Sequence, residues 1–142
     1  NETLINYREH PNQVSKQKRA IQIESVKKAQ EKFLLKMGIA QNTEEQLLHY
    51  KLFYLDYNYH LKFIIDCEKW LLKLKNANQR AQLYTVKDFN NILAWAWFEL
   101  CTDFASKKVS CKKIFKQSEL FLPAIYSKYY LLKFEIKNLF AK

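Results

Sequence analysis

His49, Asp56 and His60 stand seven and four residues apart, a spacing that lays all three near one side of a helix and lets Asp56 reach His60 one turn on. An imidazole beside a carboxylate is material for acid–base chemistry, and two imidazoles with a carboxylate are material for a metal site. Helix geometry removes the second option, because eleven residues at ~1.5 Å each set the two imidazoles about 16 Å apart, too far to share one ion. The trio therefore reads as a polar seam beside a core.

The cysteines offer a nucleophile only weakly. Cys111 lies among Lys108, Lys112 and Lys113, whose charges favour a thiolate, so a reactive surface thiol is expected there. No histidine-containing motif accompanies it, so catalysis is not expected. Cys67 and Cys101 fall in apolar helical stretches and read as small core residues. Three cysteines, odd in number and widely spaced, make neither a disulfide framework nor a metal knuckle, which implies an intracellular, reducing setting. A single glycine, Gly38, excludes the glycine-rich loops that cradle nucleotide phosphates. No enzymatic activity, cofactor or metal is read from the chain.

Charge and aromatic content carry more. The chain has 24 Lys or Arg against 14 Asp or Glu, a net charge of +10 that attracts acidic partners before any specific contact forms. Lys107, Lys108, Lys112, Lys113 and Lys116 form the densest basic segment and are the expected anion-binding residues, for phosphates of nucleic acid or of lipid headgroups. Base-specific reading is disfavoured, since Arg8, Arg19 and Arg80 are the only arginines. Trp95 and Trp97 point about 200° apart at ~100° per residue, so they cannot share one narrow core face. With the tyrosines this exceeds the aromatic surface that one bundle needs, and Trp97, Tyr54 and Tyr57 are expected to contact a protein partner.

The elements that position these residues are helices. Pro11 and Gly38 bracket a surface helix over 12–37. Thr43, with Gln46 three residues on, predicts an N-cap, and the apolar run beyond it predicts one central helix of ~30 residues to about Lys75. A turn over 76–80 follows, then a helix from Thr85 to about Phe104, a short helix ending near Leu122, and a last helix over 124–140 beyond Pro123. The longest apolar run, Ile92 to Phe98, has seven residues, short of the ~18 needed to span a bilayer. The chain is thus expected to be a single domain over 1–142, an all-α, elongated bundle of four or five helices. Its expected role is a non-enzymatic protein-interaction module with a basic surface for an acidic or helical protein partner, self-association included. The alternative is nucleic-acid or anionic-lipid binding through the lysine-rich surfaces.

Overall fold

The computed structural model describes residues 19–40, 42–54 and 59–141, apart from the side chains of Arg19, Ala20 and Tyr54. The described residues up to Phe33 fall in one compact unit and those from Leu34 onward in a second. The fold is all-α: helices α1 (Arg19–Lys36), α2 (Thr43–Tyr54), α3 (Leu61–Ala81), α4 (Val86–Ser106), α5 (Lys112–Gln117) and α6 (Lys128–Leu139), with a 3₁₀ turn at Pro123–Ile125 before α6. No strand occurs among the described residues.

Helix α1 is largely exposed and stops where glycine predicts. Gly38 sits at φ +73°, its N–H donates to the Leu35 carbonyl and that of Ile39 to the Leu34 carbonyl, both at 2.9 Å. This is a Schellman motif, and the buried Leu34 and Ile39 supply its apolar contact. The cap of α2 lies one residue earlier than expected. Asn42 Oδ1 accepts from Glu45 N–H at 2.8 Å, and Glu45 reaches back to Asn42 N–H at 3.4 Å, so Asn42 and Glu45, not Thr43 and Gln46, close the capping box.

The single ~30-residue helix does not form. Helix α2 ends at Tyr54, and α3 begins after His60, whose backbone is extended (φ −112°, ψ 142°). The reason lies in the apolar residues themselves, which cover too much of the circumference to be buried by one continuous helix. As two helices packed side by side, α2 buries His49 and Leu52 while α3 buries Ile64, Cys67, Trp70, Leu71 and Leu74. The expected turn over 76–80 is also helical. Ala77 and Asn78 are buried on α3, which ends at Gln82 in the left-handed conformation (φ 49°). The Asn78 amide then holds the connection, donating to the Tyr84 carbonyl and accepting from Tyr84 N–H, each at 3.1 Å.

Helix α4 is the centre. Thr85 caps it as expected, accepting from Asp88 N–H at 3.3 Å, and α3, α5 and α6 all pack against it. It ends in a second Schellman arrangement, with Lys108 at φ 64° where a glycine would be usual. Helix α6 starts at Lys128 rather than Ala124, because Pro123 opens the separate 3₁₀ turn and Ser127 supplies the cap, accepting from Tyr130 N–H at 3.4 Å. The aromatic core joins these elements. Phe115 lies 4.5 Å from Phe134 and 5.9 Å from Phe98 between ring centroids, and the buried Tyr126 donates to the Ala94 carbonyl at 2.8 Å.

A Cβ at Gly38 would meet no atom within 4 Å, so substitution there acts through the backbone alone. Gly38→Ala is expected to cost about 1 kcal/mol in urea denaturation, and Gly38→Asn less, because asparagine tolerates the left-handed region better.

Candidate functional site

The basic segment divides into two parts. Lys107 and Lys108 form the end of α4, where the Lys107 ammonium stands 5.5 Å from the centre of the Tyr59 ring. Tyr59 in turn donates to Asp103 at 2.6 Å, a bond that pushes its hydroxyl pKa up to about 12. Lys112 and Lys116, one turn apart on α5, converge on Glu135 of α6 at 2.5 and 2.6 Å. Hydrogen bonds from both ammonium groups hold the Glu135 carboxyl below its ordinary range. One carboxylate against two ammonium groups leaves the spot positive. Lys108 and Lys113 are exposed and have no ion pair with a described residue.

The expected partner contacts are placed differently. Trp97 is fully buried and its Nε1–H donates to the Phe115 carbonyl at 3.4 Å, so it belongs to the core. Its burial follows from the helix face: Trp97 shares the inner side of α4 with Leu93, Ala94 and Leu100, while Trp95 is turned outward and half-buried. The Tyr54 side chain and all of Tyr57 lie outside the described residues, as does Asp56. Trp95 stacks edge-on against Tyr126 and Tyr130 at 5.4 and 5.5 Å. On one side of it runs an apolar groove of about 380 Å³ lined by Leu52, Phe53, Ile92 and Ala96. On the other is a polar cleft of about 330 Å³ with Thr102, Asp103, Lys133 and Lys137.

The surface most suited to contact was not singled out in the sequence. On α6, Tyr129, Leu132, Ile136 and Leu139 are exposed, as is Phe140 just beyond, while Phe134 on the opposite side is buried. Their three–four–three spacing was the available signal. It was hidden because every side of this helix carries an apolar residue, Tyr130, Leu131 and Phe134 on one part of the circumference and Leu132 and Ile136 on another.

The chemistry-bearing groups are mostly interior. His49 is buried, its Nδ1 accepting from Trp70 Nε1–H at 3.0 Å, which places its own proton on Nε2. Burial pulls its pKa down to about 4. His60 is exposed ahead of α3, so of the two histidines only His49 fits the polar-seam reading. Cys111 is not a surface thiol: it is buried at the start of α5, with Sγ donating to the Cys101 carbonyl at 3.0 Å. Its pKa is drawn down by hydrogen bonding with the Cys101 thiol, not its carbonyl, rather than by the neighbouring lysines, whereas burial sends Cys101 well up and Cys67 up to about 12. Among the described residues no group of three His, Cys, Asp or Glu is placed to hold a metal ion. A cleft of about 580 Å³ between α2 and α3 is lined by Leu48, Phe63 and Trp70 together with the ion pairs of Lys73 with Glu45 and Lys62 with Asp66.

Two outcomes follow from this interior placement. His49 binds its proton less readily when folded than an ordinary histidine of pKa 6.5, so the unfolded chain takes up more protons between about pH 6.5 and 4. Stability should fall through that window as pH drops, by up to ~1 kcal/mol per pH unit, and a His49→Gln variant should lose that slope in urea titrations. Thiol alkylation followed by mass spectrometry should label Cys67, Cys101 and Cys111 slowly in the folded chain and quickly in urea, with no early product at Cys111. No protein-family model, no curated protein and no solved structure matches this chain.

Proposed function

We propose that this chain is a non-enzymatic helical protein-interaction module that binds an acidic or helical protein partner through apolar surface set in a positive field. The observation that carries the reading is the outer face of α6, where large apolar side chains stand exposed side by side beside the lysines of α5 and α6. An exposed apolar face costs solubility and marks a contact surface when polar residues rim it. The net charge of +10 adds long-range attraction toward acidic partners. Three buried cysteines, none in a disulfide, suit a reducing intracellular setting. No helix among the described residues is long and apolar enough to cross a membrane.

Binding of polyanions is the competing reading, and salt separates the two. Light scattering of the chain with RNA, DNA and anionic vesicles at about 50 and 200 mM salt should show no complex that survives the higher concentration. A complex with one polyanion that persists at ~200 mM, and weakens on Lys112→Gln with Lys113→Gln, would transfer the function to the lysine surface.

A further inference from the structure

Helix α6 has two apolar sides, and its own core uses one. Phe134 is the one buried residue of the helix, and at ~100° per residue it lies across the axis from Tyr129, Leu132, Ile136 and Leu139. Those four are 66, 60, 48 and 75% exposed. Their three–four–three spacing is the one with which a helix seats a second helix along a shared seam, here about 15 Å long at ~1.5 Å per residue.

The exposed charges of α6 itself that border the seam have one sign. Lys133 stands along one edge and Lys128 along the other, both exposed. Glu135 is the only acid of α6, and it is held by Lys112 and Lys116, which outnumber it. A second copy of the chain laid on this seam would bring lysine edges against lysine edges, whereas a helix edged by carboxylates would meet them with opposite charge. Resting on the interaction reading above and narrowing it, we infer that the outer face of α6 seats one amphipathic helix of a protein partner, with apolar residues at its a and d positions and Asp or Glu beside them.

The test uses the whole chain and a fluorescein-labelled synthetic helix of about three heptads, Leu at a and d and Glu at e and g, with a companion carrying Lys at e and g. Anisotropy should show the acidic peptide binding and the basic one at least about tenfold weaker. The double variant Leu132→Asp with Leu139→Asp should weaken the acidic peptide by at least about tenfold while its circular dichroism melt stays that of the parent, since both side chains are exposed. Ile92→Asp, in the groove beside Trp95, should leave binding unchanged.

Equal binding of the two peptides would overturn the charge argument. Loss of binding in Ile92→Asp alone would overturn the seam and move the contact to that groove, leaving the interaction reading standing. A dimer by light scattering that dissociates in the double variant would make the seam a self-association face and overturn the acidic partner. A monomer that binds neither peptide overturns the seam too; the broader reading falls only with the salt-resistant polyanion complex described above.

Discussion

Burial of α4 along its inner face is the constraint on which the rest of the second unit depends. Leu93, Ala94, Trp97, Leu100, Cys101 and Phe104 are all at or near zero exposure, and they are covered by different neighbours. Helices of six and twelve residues such as α5 and α6 are too short to persist alone in water, so their order comes from what they bury against α4. Phe115 is the one buried residue of α5 and Phe134 that of α6, and the two rings meet each other and Phe98. The indole of Trp97 ties the Phe115 carbonyl to the same centre.

That dependence explains where the charges go. With α5 and α6 drawn onto neighbouring parts of α4, Lys112 and Lys116 come within reach of Glu135, and a basic run that reads in sequence as five free cations becomes partly an internal tie between two short helices. An exposed pair of this kind contributes modestly to stability, about 0–1 kcal/mol. Its larger effect is positional, since it turns the only acid of α6 toward α5 and leaves the outer edges of that helix to lysine.

Helix content was legible because one glycine and two prolines leave few places to break a chain so rich in apolar residues, and the stop at Gly38 fell where that residue stands, whereas α5 ends at Gln117, ahead of the expected end near Leu122, and Pro123 opens a 3₁₀ turn. Two kinds of information were not legible. The division between Tyr54 and Leu61 has no glycine or proline to announce it and follows from how much apolar surface must be buried, a property of packing rather than of local propensity. The orientation of aromatic residues was equally hidden, because α4 and α6 carry apolar side chains around most of their circumference. Trp97 and Trp95 could be assigned to opposite faces from spacing alone, but which face was inward depended on α3, α5 and α6. The same ambiguity concealed the outer seam of α6 and the burial of Cys111, whose neighbours Lys108 and Lys113 are exposed while its thiol donates to the Cys101 carbonyl.

The connections show how a chain with almost no glycine turns corners. Gln82 and Lys108 take left-handed backbone conformations that cost an ordinary residue about 1–2 kcal/mol, and Asn78 supplies with its side chain the hydrogen bonds of one such corner. Against that native strain stands the denatured chain, in which each residue other than glycine has fewer backbone states to lose, a difference of about 0.4–1 kcal/mol per position. The two effects oppose each other at similar size. Scarcity of glycine therefore leaves the folded state little changed in net stability, and its main consequence lies in the denatured ensemble, which is stiffer and gives up less entropy when the helices assemble.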